Sequence, residues 1–146
     1  MKELLYLKDD QLKDLIEKLF IGYRETFSDS KKILDKYSIG LAHNKVIHLL
    51  SMYDGISISA LLTRLKVTKQ SLNRVLRDLI KTRMIKQVQD DTDTRKKNLF
   101  LDKEGRTFFE TVYNAQKKRI FNALKNSSSD SVIKFKDVLK RIIDGK

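Results

Sequence analysis

ISISALLTRLKVTKQSLNRVLRDLIKTRMIKQVQDDTDTRKKNLFLDKEG, residues Ile56 to Gly105, links three local signals in one order. A short capped helix comes first, then a tight turn into a basic amphipathic helix, then a hairpin with a charged tip. Ser57 is placed to cap the first helix, with Ile56 before it and Leu61 four residues inside as a hydrophobic staple. Thr68 repeats the device with Val67 and Leu72. The two capped starts lie eleven residues apart, which leaves room for one short helix and a turn. That spacing is a helix-turn-helix, and the hairpin after it is a wing. The arrangement is suited to laying a helix in a groove of duplex DNA.

The helix that starts at Thr68 separates into two faces. Leu72, Val75, Leu76, Leu79 and Ile80 recur at i, i+3, i+4, i+7 and i+8, the spacing of a buried stripe. Gln70, Asn73, Arg74, Arg77 and Lys81 lie opposite. Arg pairs with guanine O6 and N7, while Asn and Gln pair with adenine N6 and N7. Gln70, Asn73, Arg74 and Arg77 are therefore the candidates for reading base edges. Thr68, Lys69, Ser71, Lys81, Lys96 and Lys97 suit phosphate contacts, which position a protein without reading sequence. The hairpin is expected from Met84 to Gln89 and from Asn98 to Leu101, with a polar turn between; its alternation of apolar and polar residues is poor.

Outward from this segment, Leu12, Leu15, Ile16, Leu19, Phe20, Tyr23 and Phe27 follow helical spacing, with Asp9 or Asp10 available as N-cap. A polar stretch, Ser28 to Lys32, interrupts that face. A second helix is expected from about Ala42 to Met52, ended by Asp54-Gly55. Asp102 can cap a long helix bearing Phe108, Phe109, Val112, Tyr113, Ile120, Phe121 and Leu124. Ser127 to Asp130 then break the chain and cap a last helix with Val132, Phe135, Val138, Leu139 and Ile142. The fold class is mainly α with a small β-hairpin wing, and residues 1–146 read as one domain. The winged helix-turn-helix occupies 41–105, flanked by helices in 1–37 and 106–146. Those flanking helices carry surplus apolar surface, which either packs within the chain or builds a dimer interface. Pairing of recognition helices on half-sites one helical turn apart favours the dimer.

The formal charge of +12 is unevenly distributed. Nine basic and nine acidic residues cancel between Met1 and Leu62, whereas eleven basic residues face only four acidic ones from Thr63 to Lys97. The excess is densest on the motif, as a polyanion binder requires. The chain has no cysteine, which excludes disulfides, thiolate metal sites and thiol redox sensing. MKELLYLKDD reaches acidic residues too early for a signal peptide, and no apolar run approaches the roughly 20 residues of a membrane span. The expected location is the cytoplasm, at the nucleoid. His43 and His48 are five apart and point in different directions, so they form no metal pair. Asp90, Asp91 and Asp93 lack the glycine and the bidentate glutamate of a calcium loop. No nucleophile–base pair, Gly-rich phosphate loop or zinc motif stands out, so neither an enzyme nor a cofactor is expected.

With these residues in place, the chain resembles the MarR family of bacterial transcription regulators. The resemblance runs from about Leu41 to Gly105 and is most specific in the wing. There Asp90-Asp91-Thr92-Asp93-Thr94-Arg95 is similar to the family's D-x-x-D-x-R turn, and Leu101-Asp102-Lys103-Glu104-Gly105 to its L-T-x-x-G junction. It implies that Arg95 enters a minor groove and that Asp93 holds it in place. It also implies a homodimeric regulator on a palindromic operator, more often a repressor. Such regulators often respond to a small aromatic or anionic effector bound between the dimerisation region and the winged helix. Three residues depart from the pattern, and one of them, Asp102 in place of the usual threonine, caps a helix equally well. Lys66 and Arg83 stand where the family commonly has glycine, and left-handed backbone costs a non-glycine residue roughly 1–2 kcal/mol, which favours remodelled turns. Two further readings stay open: a sequence-tolerant nucleoid protein, and a winged-helix module that binds other proteins.

Overall fold

A computed structural model describes residues 4–146. Met1, Lys2 and Glu3, which begin both the stretch read as lacking a signal peptide and the segment assigned to dimerisation, lie outside the described residues. A short 3-10 helix (Leu5–Leu7) precedes α1 (Asp9–Ser28), α2 (Lys31–Lys36), α3 (Leu41–Met52), β1 (Ile56–Ser57), α4 (Ile58–Leu65) and α5 (Lys69–Lys81). The hairpin β2 (Ile85–Gln89) and β3 (Lys97–Leu101) follows, then α6 (Lys103–Lys125) and α7 (Ser129–Asp144). The described chain divides into two compact units. One combines the chain up to Asp29 with Asn114–Lys146, and the other is Ser30–Tyr113.

The second unit holds the core. Val46, Ile47 and Leu50 of α3, Leu61 of α4, and Leu72, Leu76 and Leu79 of α5 are buried together. Leu99 and Leu101 of β3 and Phe108 and Val112 of α6 join them, and Leu34, Ile39, Met84 and Ile85 complete the cluster. Burying each of these side chains contributes on the order of 1.5–3 kcal/mol. The helix starts are set by short-range chemistry. Ser57 Oγ accepts from the Ala60 amide at 3.2 Å, and Thr68 Oγ1 accepts from the Ser71 amide at 3.1 Å. α6 begins hard against the hairpin: a Cβ added at Gly105 would lie 1.9 Å from the Met84 carbonyl oxygen. That oxygen also accepts from the Asp102 amide at 2.9 Å, so it is held in place.

The sheet has three antiparallel strands in the order β1-β3-β2. Ile85 pairs with Leu101 and Gln89 with Lys97 across the hairpin, and Ile56 pairs with Leu99. The poor alternation along Met84–Gln89 has a physical cause. β2 is an edge strand that buries only Ile85, and its other residues are exposed.

Four local expectations need correction. Lys8, not Asp9 or Asp10, occupies the N-cap of α1; both aspartates lie in its first turn, where they favour the positive end of the helix dipole. The stretch after Ser28 is not merely a polar break, because α2 forms there and buries Leu34; six residues are too few for periodicity to declare it. Ile56 and Ser57 form a third strand as well as the cap. Finally, the turns at Lys66 and Arg83 are not remodelled. Both residues adopt the left-handed conformation, with φ of 52° and 60°. Terminal carbonyls take up the strain: the Lys66 amide donates to Leu62 O at 2.9 Å, and the Arg83 and Met84 amides donate to Ile80 O and Leu79 O.

The first unit has a different character. None of its described residues is buried. α1 exposes Ile16 and Phe20, the end of α6 exposes Ile120 and Phe121, and α7 exposes Ile133, Phe135 and Ile143. Its firmest polar link is Asp29, which accepts from Arg119 Nε at 2.6 Å and Nη2 at 3.0 Å. Among the described residues, no helix is long and apolar enough to cross a membrane.

Candidate nucleic-acid interface

α5 presents two faces, but the buried one is narrower than its spacing predicts: Val75 is half-buried and Ile80, at the last turn of the helix, is 39% exposed. Leu72 and Leu79 are each 1% exposed, while Gln70, Asn73, Arg74, Arg77 and Lys81 are exposed on the outer side. Gln70, Arg74, Arg77 and Lys81 follow one another at i, i+4, i+7 and i+11, a single open stripe. The one carboxylate of α5, Asp78, is turned toward α3, where its Oδ2 lies 3.0 Å from His43 Nε2. His43 Nδ1 is buried and has no hydrogen-bond partner among the described residues, which suits Nε2–H as the donor to Asp78. Arg64 lies 3.8 Å over the Tyr53 ring and so ties α4 to the end of α3.

The wing returns toward the start of α5. Lys69 and Asn73 of α5, Ser57 at the cap of α4 with Ile58, Ser59 and Leu62 inside that helix, and Arg95, Lys96 and Lys97 of the wing line one cleft of about 320 Å³. Four cationic side chains and no carboxylate line it. The N-terminus of α4 adds the positive end of its dipole to the same space. Such a cleft attracts a polyanion and offers hydroxyl and amide donors to hold it.

The predicted residues do not all meet there. Thr68 and Ser71 are occupied with the cap, since Thr68 Oγ1 donates to Ser71 Oγ at 2.8 Å as well as accepting from its amide. Ser71 lines a separate, mostly apolar cleft with Lys45, Val67 and Val75. Gln70, Arg74, Arg77 and Lys81 line neither cleft and stand on the open helix face.

In the wing, Asp93 Oδ1 accepts from the Arg95 amide at 3.0 Å and lies 3.6 Å from its Nε. The Arg95 side chain is 93% exposed and reaches into solvent. Asp90 is the more heavily bonded acid. Its Oδ2 accepts from the Thr92 hydroxyl at 2.8 Å, the Thr92 amide at 3.2 Å and the Asp93 amide at 3.0 Å, while Oδ1 accepts from Asn98 Nδ2 at 3.0 Å. The Asn98 amide first, and then these other donors, hold the Asp90 carboxyl well below the usual carboxylate range.

Sequence reasoning missed Ser57 and Ser59 as lining residues, Asp90 and Asn98 as organisers of the wing, and the His43–Asp78 link. The D-x-T-D spacing carried a usable signal for Asp90, since Asp side chains bond backbone two and three residues on. The His43–Asp78 pair spans 35 residues and left no local trace. Among the described residues, no group of three or more His, Cys, Asp or Glu is placed to hold a metal ion.

A three-helix core, a hairpin and a basic helix that shares a cleft with that hairpin define a winged helix-turn-helix protein. Residues 41–96 match the model of the MarR family. The chain is 36% identical over 141 residues to the HTH-type transcriptional regulator PetP of Rhodobacter capsulatus, covering 97% of this chain and 85% of that one. Two solved structures share the fold. Staphylococcus aureus MarR in complex with salicylate and kanamycin is 20% identical, with a TM-score of 0.73 over 93% of this chain and 92% of that one. A mutant MarR from E. coli complexed with operator DNA is 19% identical, with a TM-score of 0.67 over 96% of this chain and 99% of that one. The chain belongs to the MarR family of transcriptional regulators.

Proposed function

We propose that this protein acts as a homodimer on a palindromic operator in duplex DNA, as a repressor released by a small-molecule effector. The observation that carries the DNA reading is the cleft that joins α5 to the wing, lined by Lys69, Arg95, Lys96 and Lys97 without a carboxylate. In this reading Gln70, Asn73, Arg74 and Arg77 meet base edges in the major groove. Lys69, Lys81, Lys96 and Lys97 bind phosphates, joined by Thr68 and Ser71 through what the cap leaves free. Arg95 enters the minor groove from the wing, with Asp93 bracing it. The site works by binding alone and calls for no catalytic chemistry or cofactor.

Dimerisation is supported by the first unit, whose three helical stretches expose apolar side chains and bury none of their described residues. A second copy is the natural cover for such faces. Residues 1–37 and 106–146 are read as the dimerisation region and 41–105 as the DNA-binding region; the exposed faces that support the first lie up to Asp29 and from Asn114, while Leu34, Phe108 and Val112 belong to the core of the other unit. The cytoplasm, at the nucleoid, is the compartment that this role requires. The effector rests on likeness to the S. aureus MarR that holds salicylate and kanamycin.

Selection of bound sequences from a random duplex pool, at about 150 mM salt, tests the proposal. A palindrome with half-sites about 10 base pairs apart is the expected product. Binding without a motif would replace it with the nucleoid reading, and no binding at all would leave a protein-interaction module.

A further inference from the structure

The wing tip contains two carboxylates in series. Asp90 Oδ2 takes the amide of Asp93 at 3.0 Å, and Asp93 Oδ1 takes the amide of Arg95 at 3.0 Å. Each bond fixes the backbone at the next member of the chain. Asp90 is itself fixed from both sides, by Asn98 Nδ2 on β3 at 3.0 Å and by its own amide, which donates to Lys96 O at 2.9 Å. The Arg95 side chain, by contrast, gains little from Asp93. Their charged groups are 3.6 Å apart and Arg95 is 93% exposed, so solvent screens the pair. What places Arg95 is therefore its backbone, and the backbone is anchored at Asp90.

We propose that Asp90 is the positioning residue of the wing: it orders the loop through Asp93 and so sets the point from which Arg95 projects. A loop of this length, on an edge hairpin with few buried contacts, otherwise loses conformational freedom only on meeting DNA, at a cost to affinity. The relay removes that cost in advance. This inference rests on the reading that the wing meets DNA, but its first half concerns the free protein.

The test uses the full chain and the variants Asp90→Ala, Asp90→Asn and Arg95→Ala. Heteronuclear NOE values for the Asp93 and Arg95 amides are measured without DNA. They are expected to fall in Asp90→Ala and to stay near wild type in Asp90→Asn, whose amide oxygen still accepts from Thr92 and Asp93 while Asn98 turns its own oxygen inward. Affinity is then measured on the duplex recovered by selection and on the same duplex trimmed of the flanks that the wings reach. Asp90→Ala is expected to lose roughly tenfold on the long duplex, to match wild type on the trimmed one, and to add nothing to Arg95→Ala. Unchanged NOE values in Asp90→Ala would overturn the proposal. Equal losses on both duplexes would overturn it too, by marking a general structural role. Failure of the wild type to bind any duplex would refute the DNA reading instead, and the NOE values would still decide whether Asp90 orders the wing.

Discussion

Lys66 and Arg83 each hold a conformation that glycine adopts without cost, at φ of 52° and 60°. Replacing either with glycine removes a steric cost of roughly 1–2 kcal/mol and adds roughly 0.5–1 kcal/mol of backbone entropy. Lys66→Gly and Arg83→Gly are thus expected to raise the melting temperature slightly; a clear fall would mean that these side chains make contacts worth more than the strain. Gly105 is the opposite case. A Cβ there would overlap the Met84 carbonyl oxygen, so Gly105→Ala is expected to destabilise at the upper end of about 1–3 kcal/mol, measured by denaturant unfolding. Asp90 carries a pH signature. Its folded-state value lies below the ordinary 3.8, so its contribution is complete above pH 3.8 and lost only as pH falls through the lower folded value. The side-chain carboxyl resonance of Asp90 is expected to stay at its ionised position down to pH 3.8, and a midpoint at or above that would contradict the hydrogen bonds assigned to it. At this scale the sequence is most legible where chemistry is short-range. Ser57, Thr68 and Ser128 cap the helices that follow them, because a side-chain oxygen needs to reach only three residues along the chain.

Among the elements, α5 was legible because one face must be apolar and the other must not. Leu72, Leu76 and Leu79 are buried while Asn73, Arg74 and Arg77 are exposed. α2 and β1 were illegible, the first too short for periodicity and the second formed by two residues whose partners lie far along the chain at Leu99 and Asn98. The same limit applies to the site. Spacing placed Gln70, Asn73, Arg74 and Arg77 on one helix, but only the fold brings Asn73 beside Arg95 and Ser59. The two contact classes are expected to separate by mutation. Arg74→Ala should cost about 1–3 kcal/mol on the selected site and relax the preference for its base. An unchanged preference would remove Arg74 from the readout set. Arg95→Ala should weaken binding and leave the oligomeric state intact, and dissociation into monomers would misplace the wing.

For the molecule as a whole, the proposal gives recognition to the basic, cored unit and assembly to the unit of exposed apolar helices. Hydropathy patterning signalled the surplus of apolar surface, but it could not say whether a chain covers that surface itself. Within one chain no described residue of the first unit is buried, and the proposed dimer rests on that. Phe135→Asp on α7 is expected to shift the mass in solution toward monomer and to weaken operator binding, because two linked half-site contacts become independent ones. A dimer unaffected by Phe135→Asp would place the interface elsewhere. The central claim, that two copies read two half-sites at once, is tested most directly by lengthening the selected palindrome by five base pairs at its centre. That insertion turns one half-site roughly half a helical turn away from the other. Affinity is expected to fall at least about tenfold, with a shallower salt dependence as one copy loses its phosphate contacts. Unchanged affinity and an unchanged salt slope would contradict the account, since a single copy would then suffice.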